Sequence, residues 1–99
     1  MKEKEIPSEK TNANETLENK RRRLIFRSDH RGTKEMDLLL GSFAKKHVPS
    51  FTPDELSVFD EILKNNDPDL YNWITGKEPE DEAVKSEVFE MLKKHQYAN

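Results

Sequence analysis

The chain has 99 residues and no cysteine, with 37% charged and 32% hydrophobic side chains and a formal net charge of −3. Its length supports one domain with a small core, and no stretch approaches the ~20 apolar residues that cross a bilayer. The lack of cysteine excludes disulfides, thiolate nucleophiles and cysteine-bound metals, and it fits a reducing cytoplasm.

The charge is unevenly distributed along the chain. Residues 20–34 carry seven basic side chains against one acid, whereas residues 53–99 carry twelve acids against five lysines. The small net charge therefore hides a dipolar molecule, with a basic segment at residues 20–34 and an acidic segment at residues 53–99. Such polarity can steer a partner protein into one orientation.

Residues 1–14 are predicted to form a disordered tail, because lysine and glutamate alternate there and no apolar run occurs. A signal peptide needs such a run, and the acids Glu3, Glu5 and Glu9 are unlike a mitochondrial transit peptide. We therefore predict a helical domain over residues 15–97, in a cytoplasmic, bacterial protein. We also expect a monomer that does not insert into a membrane.

Five helical segments are predicted, in chain order. The first covers residues 15–29. Three aliphatic side chains share one side of it: Leu17, Leu24 and Ile25. The second begins near Thr33 and ends before Pro49, because the residue preceding a proline is pushed out of the α region. Its apolar residues repeat at i, i+3, i+4, i+7 and i+8, as in a helix that buries one stripe: Met36, Leu39, Leu40, Phe43 and Ala44.

The third helix has the clearest start signal. Thr52 can cap it, Pro53 fits its first position and Glu55 completes a capping box. Its apolar residues again follow helical spacing: Leu56, Phe59, Ile62 and Leu63.

The fourth and fifth helices also follow prolines. Asp67 and Pro68 repeat the combination of a cap and a proline, and Gly76 ends the fourth helix. The fifth begins after Pro79 with an acidic first turn at residues 80–82, which favours the helix dipole. No stretch alternates apolar and polar residues over the length of a strand. The prediction is an all-α bundle of about five short helices.

Little in the sequence points to catalysis. His30, His47 and His95 lie far apart along the chain, and none has a partner at metal-ligand spacing. The three scattered glycines form no phosphate-binding loop. Carboxylates are plentiful, but they fall at helix caps and solvent faces. We therefore expect neither enzymatic activity nor a metal site.

The basic segment leaves more than one interpretation open. One helix carries four arginines that could contact phosphates: Arg21, Arg22, Arg23 and Arg27. The salt-sensitive part of nucleic-acid binding needs little more than such contacts. An acidic chain, with a pI of about 5.6, and only Phe26 as a flanking aromatic residue argue against that use. A solvated face and a protein-binding face explain the arginines equally well, and nucleic acid ranks third.

The corner at residues 31–35 is the best candidate for a binding site. Gly32 lets the backbone of a partner come close, or lets φ become positive. Arg31 and Glu35 offer a planar cation and a carboxylate from one small surface. A plainer interpretation stays open, in which Gly32 ends a helix, Glu35 and Asp37 favour the positive end of the next helix, and Arg31 is solvated.

Three strings of sequence together resemble one family: HRGTKEMDLLLGSFAKKHV, FTPDELSVFDEIL and NDPDLYNWITG. An Arg-Gly-x-x-Glu motif is matched by Arg31, Gly32 and Glu35, and an Asp-Pro-Asp-Leu-x-x-Trp motif is matched within residues 67–73. Each motif alone is weak, but both in this order are specific. Over about residues 20–95 the chain is similar to the assembly factors that attach FAD to succinate dehydrogenase.

The resemblance implies a small five-helix protein that promotes covalent attachment of FAD. Its partner would be the flavoprotein subunit of succinate dehydrogenase, with fumarate reductase as a further candidate client. The factor would bind no FAD stably and would act on FAD held by the partner, whose histidine forms the bond. Redox chemistry belongs to FAD and its host, so the factor needs no nucleophile. A helical adaptor or antitoxin-like regulator acting on unrelated partners stays the alternative.

The resemblance also implies roles at the corner. Gly32 would permit close backbone contact, Arg31 would pair with a carboxylate or carbonyl of the flavoprotein, and Glu35 would accept hydrogen bonds across the interface. Three further residues complete the partner-binding set, two at the rim and one that steers the partner: Lys34, Asp37 and Arg27.

Overall fold

The computed structural model describes residues 15–95, which form five α-helices joined by short turns. The helices are α1 (Leu17–Asp29), α2 (Lys34–His47), α3 (Pro53–Ile62), α4 (Asp67–Thr75) and α5 (Glu87–His95). Single 3-10 turns precede α3 and α5, at Val48–Ser50 and Glu82–Val84.

The predicted all-α bundle is confirmed, and no strand occurs within residues 15–95. The predicted tail at residues 1–14 lies outside the described residues, as do the last two residues of the predicted domain. Over the described part of the chain, no helix has the length and apolar character that a membrane crossing requires.

The starts of α2 and α3 follow the sequence signals. The side chain of Thr33 accepts the backbone N–H of Met36 at 3.1 Å, which caps α2. Thr52 and Glu55 form the complete capping box of α3, at 3.1 Å in one direction and 2.8 Å in the other. Gly76 ends α4 with a φ of 84°, in the left-handed region that glycine adopts without strain.

The start of α4 differs from the prediction. Asn66, not Asp67, is the cap, and its side chain accepts the backbone N–H of Asp69 at 2.9 Å. Asp67 is the first helical residue, and its carboxylate turns away from the helix toward the corner between α1 and α2. Asparagine and aspartate cap helices about equally well, and here Asp67 binds Arg31 while Asn66 caps α4.

The start of α5 is also later than predicted. Asp81 caps the short 3-10 turn, after which the backbone of Lys85 is extended. The hydroxyl of Ser86 then accepts the backbone N–H of Phe89 at 3.0 Å at the beginning of α5. Glu80 lies outside the helix and pairs with Lys93 of α5 at 2.7 Å. This ion pair ties the segment before α5 to the helix, so Glu80 does not act on the helix dipole as predicted.

One core joins all five helices. α1 packs chiefly on α2 and also on α3, while α5 packs on α2, α3 and α4. Three phenylalanine rings meet at its centre, with centroids 5.5–6.1 Å apart: Phe43, Phe51 and Phe59. The predicted stripes of α2 and α3 are buried throughout. On α1, Leu24 is buried and Ile25 packs against the core, as predicted, but Leu17 near the start of the helix is 44% exposed.

Candidate functional site

Arg31 lies in the turn between α1 and α2, and its guanidinium is directed into the fold. Its Nε donates to the Asp67 carboxylate at 2.8 Å, and its two terminal nitrogens donate to the carbonyls of Leu63 and Asn65 at 2.9 and 2.7 Å. The side chains of Arg31 and Asp67 are only 10% and 14% exposed. Arg31 therefore ties the corner to the loop between α3 and α4.

The backbone of the corner is held by two carboxylates. Asp37 accepts the backbone N–H of Arg31, and the second oxygen of Asp67 accepts the backbone N–H of Gly32 at 2.7 Å. A Cβ on Gly32 would lie 3.1 Å from that oxygen, which is tight. Among the described glycines only Gly76 has a positive φ, so Gly32 provides space and not an unusual backbone conformation.

The first turn of α2 presents the exposed side of the corner. Lys34 and Glu35 follow the Thr33 cap and are both exposed. The Glu35 carboxylate forms no ion pair or side-chain hydrogen bond with another residue in the range 15–95. Leu38 lies one turn further along the helix and is 67% exposed. Among the described residues, Glu35 therefore has no partner that neutralises its charge, and an exposed apolar side chain lies close to it.

The buried side of the basic segment is held by Arg23. Its guanidinium pairs with Glu15 at 2.7 Å and with Asp60 at 2.9 Å, which joins α1 to α3. Burial pushes the pKa of Asp60 upward, but the hydrogen bond and the charge of Arg23 outweigh that effect, so the pKa lies below its usual value. Arg27 is half-exposed and only approaches the same carboxylate, at 4.0 Å.

The other arginines of the segment are also occupied within the fold. Arg21 donates to the carbonyls of Val48 and Phe51, at 3.3 and 2.9 Å. Arg22 pairs with Glu18 at 2.7 Å, although both side chains are exposed and such a pair is weak. Two of the four arginines that suggested a phosphate-gripping face, Arg21 and Arg23, thus hold α1 on its neighbours, which weakens the nucleic-acid interpretation.

The six residues predicted for partner binding fall into two groups. Gly32, Lys34 and Glu35 lie on the exposed side of the corner, and Arg27 is half-exposed at its edge. Arg31 and Asp37 are engaged inside the fold, where they position the others. For all six residues, contact with a partner stays a prediction.

An open cleft of about 610 Å³ lies beside the corner, and the sequence did not predict it. The C-terminal part of α1 forms one wall, and the loop between α3 and α4 forms the other. Phe26 lines this cleft and is 62% exposed, with its ring stacked on His30 at a centroid distance of 3.9 Å. The sequence contained one sign of this arrangement: Phe26 does not lie on the apolar side of α1, and His30, a second planar ring, follows it by four residues, about one helical turn.

Two histidines that lie far apart in sequence meet in the structure. The rings of His47 and His95 are 6.1 Å apart, and Ser42 Oγ lies 2.8 Å from His95 Nε2. Burial lowers the pKa of both histidines, with Lys46 acting in the same direction. Within residues 15–95, no group of three or more histidine, cysteine or acidic side chains is arranged to hold a metal ion.

Comparison with known proteins gives a consistent result. Residues 22–96 match the model of a family described as "Flavinator of succinate dehydrogenase". The chain is 37% identical over 92 residues to succinate dehydrogenase assembly factor 2, mitochondrial, of Drosophila grimshawi, covering 91% of this chain and 63% of that relative. Assembly factors 2-A of Drosophila yakuba and Drosophila persimilis are 36% and 35% identical, again over 91% of this chain, and 57% and 58% of their lengths are covered. The chain thus spans about three fifths of the length of these relatives.

Proposed function

Because the chain belongs to the family of flavinators of succinate dehydrogenase, we propose that it binds the flavoprotein subunit of that enzyme and promotes covalent attachment of FAD. The family membership does not favour the general adaptor or antitoxin-like alternative. The observation that carries the proposal on this chain is the corner before α2. There Glu35, whose carboxylate has no ion-pair partner among residues 15–95, follows Gly32 on a backbone that Arg31, Asp37 and Asp67 fix.

The geometry suits a protein that positions a partner. Gly32 has no side chain, so the backbone of the flavoprotein can come close to the corner. Glu35 then accepts hydrogen bonds from donors on that surface, and Lys34 lies beside it at the rim. The three contacts of Arg31 fix the backbone of the corner before binding, so little backbone entropy is lost on association.

We propose that this chain acts without a reacting group of its own. The histidine that forms the bond to FAD belongs to the flavoprotein, and the flavin supplies the redox chemistry. The factor contributes by holding the immature flavoprotein in a productive arrangement. Even modest positioning is useful, because each ~1.4 kcal/mol removed from a barrier gives a tenfold faster reaction.

Flavinylation in cells tests the proposal. The flavoprotein subunit is produced in cells that lack the endogenous factor, with this chain or a variant supplied, and covalent flavin is read by in-gel fluorescence. We expect Gly32→Arg and Glu35→Ala to lower the fluorescence several-fold while the helical circular dichroism signal is retained. Glu87→Ala is the matched control, because Glu87 is also an exposed acid in the first turn of a helix.

Two results would count against the proposal. If this chain does not raise covalent flavin above the level without a factor, the proposed activity is wrong. If the chain is active and both corner variants are as active as the Glu87→Ala control, the activity stands but the corner is not the contact surface.

The setting in which the chain acts is also a proposal. The absence of cysteine suits a reducing compartment, and we propose the cytoplasm. The relatives named above carry "mitochondrial" in their names. We propose that the factor acts as a monomer on a single flavoprotein chain, with fumarate reductase as a second client.

A further inference from the structure

We propose that the cleft beside the corner is a second contact site for the flavoprotein, and that it takes a segment in which a planar or apolar side chain lies next to an acidic residue. The proposal rests on the proposed function and extends the contact surface from the first turn of α2 to the last turns of α1. Three features of the described residues carry it: a fixed aromatic platform, an excess of positive charge and continuity with the corner.

The platform consists of Phe26 and His30. Their rings are nearly parallel, at an interplanar angle of 20°, and His30 Nδ1 lies 2.8 Å from the carbonyl oxygen of Phe26. A carbonyl can only accept, so Nδ1 donates, and the imidazole is fixed over the phenyl ring. Phe26 is largely exposed, lines the cleft and lies outside the core. A fixed, exposed ring of this kind binds a planar or apolar side chain at low entropic cost.

The charges that line the cleft are not balanced. Asp67 is neutralised by Arg31, with which it pairs at 2.8 Å. Arg27 approaches Asp60 only to 4.0 Å, and that carboxylate is already bound by Arg23. Arg27 is therefore left with most of its charge unneutralised.

Lys64 adds a second cation to the cleft. Its ammonium pairs with Glu61 at 2.9 Å, but both side chains are well exposed and the pair is weak. A carboxylate of the partner that enters the cleft therefore meets two available cations and no unneutralised acid among the described lining residues. This is the charge complementarity expected for an acidic segment.

The cleft is continuous with the proposed contact surface. Gly32 and the Arg31–Asp67 pair belong to its wall as well as to the corner. A partner segment that passes over Gly32 therefore enters the cleft without crossing another element. Because the Arg31–Asp67 pair sets the spacing of both walls, the corner and the cleft present one rigid surface.

Binding of the purified full chain to the purified flavoprotein carrying noncovalent FAD, measured by titration calorimetry, tests the proposal. We expect Phe26→Ala to weaken binding ~10-fold, as removal of an exposed aromatic anchor does, and Phe26→Trp to bind within about twofold of the unaltered chain. We expect Arg27→Gln to weaken binding and to make its salt dependence shallower.

The chain offers matched controls on the same helix. Leu17→Ala removes an exposed apolar side chain of α1 outside the cleft, and Arg22→Gln removes an exposed arginine outside it. Both should leave the affinity unchanged. If Phe26→Ala and Arg27→Gln also leave it unchanged while Gly32→Arg abolishes binding, the cleft proposal is overturned and the proposed function survives. If the unaltered chain does not bind the flavoprotein, the proposed function itself fails.

The identity of the occupant is tested by photocrosslinking. A benzoylphenylalanine at position 26 keeps an aromatic ring in the cleft and links it to whatever lies within reach, which mass spectrometry identifies. We expect a flavoprotein peptide with an aspartate or glutamate adjacent to a planar or apolar residue. A crosslink to residues 1–14 of this chain, to a second copy of the chain, or to a flavoprotein segment without an acid would overturn the proposal.

Discussion

Arg31 and Glu35 belong to one motif but lie in different surroundings. The Arg31 guanidinium is surrounded by three acceptors of its own chain, whereas the Glu35 carboxylate has no side-chain partner among residues 15–95. Sequence placed both at one corner, but it could not show which was buried. The acceptors of Arg31 come from residues 63–67, more than thirty positions away, and no local pattern encodes that pairing. At the scale of single residues, the motif therefore combines a structural arginine with an exposed carboxylate.

This division predicts that Arg31 variants affect stability first. Arg31→Ala leaves the Asp67 carboxylate without its ion pair, and breaking a largely buried pair costs about 3–5 kcal/mol of unfolding free energy. Arg31→Lys keeps the charge but not the planar arrangement of donors, so we expect a loss of about 1–3 kcal/mol. Urea unfolding measures both, and the lysine variant remains informative if the alanine variant does not fold.

Glu35→Ala is the control for this prediction. Glu35 is exposed and unpaired within the described residues, so its removal should change the unfolding free energy by less than about 0.5 kcal/mol. The opposite pattern, with Arg31→Ala stable but deficient in flavoprotein binding, would show that Arg31 is a direct contact, as the resemblance implies.

At the scale of elements, the end of α1 comes into contact with α2 at Gly41. Gly41 is buried in the middle of α2, and a Cβ there would overlap the carboxylate of Asp29 at the end of α1. Asp29 is in turn paired with Lys45 of α2 at 3.1 Å. The glycine therefore leaves room for the Asp29 carboxylate between the two helices.

Gly41→Ala is predicted to lower stability in spite of its better helix propensity. Alanine gains about 1 kcal/mol over glycine inside a helix, but a forced overlap costs about 1–3 kcal/mol, so the net expectation is a loss of about 1 kcal/mol. In an Asp29→Ala background the overlap is relieved and the same substitution should stabilise the protein. A double-mutant cycle by urea unfolding measures the coupling between the two sites, and additive effects would contradict this account.

The helices themselves were predictable where the signal was local. The apolar stripe of α2, the capping box of α3 and the glycine at the end of α4 act within a few residues, and all three are confirmed. The predicted cap of α4 was wrong: Asn66 is the cap, and the Asp67 carboxylate binds Arg31 across the fold. The cleft and the exposure of Phe26 were not predicted, because they depend on how α1 lies against the loop before α4.

At the scale of the whole molecule, the polarity of the sequence is partly cancelled by the fold. Arg23 is neutralised by Glu15 and Asp60, and Arg31 by Asp67 of the acidic part of the chain. Part of the basic segment, residues 20–34, therefore attaches α1 to the rest of the fold, whereas Arg27 only approaches Asp60, at 4.0 Å. Pairing across the fold thus neutralises part of the basic segment that the linear sequence indicates.

The histidine contact between α2 and α5 makes the stability of the whole molecule dependent on pH. Burial lowers the pKa of His47 and of His95 below the ordinary value of 6.5. The charge of Lys46 lowers both pKa values further, and the charge of His47 also lowers the pKa of His95. As the pH falls, these histidines therefore bind protons in the unfolded chain before they do so in the folded protein. The unfolding free energy is expected to be unaffected by them above pH 6.5 and to decrease below it. Each histidine contributes a slope of at most about 1.4 kcal/mol per pH unit.

Thermal unfolding between pH 7.5 and 5.5 tests this expectation. The melting temperature of the unaltered chain should fall toward pH 5.5, and the slope should flatten in a His47→Gln, His95→Gln double variant. Asp60 does not produce the same effect in this range, because its lowered pKa affects stability only below the usual carboxylate value of 3.8. A double variant with an unchanged slope would show that protonation elsewhere governs the response, and that the contact of α5 with α2 does not depend on neutral histidines.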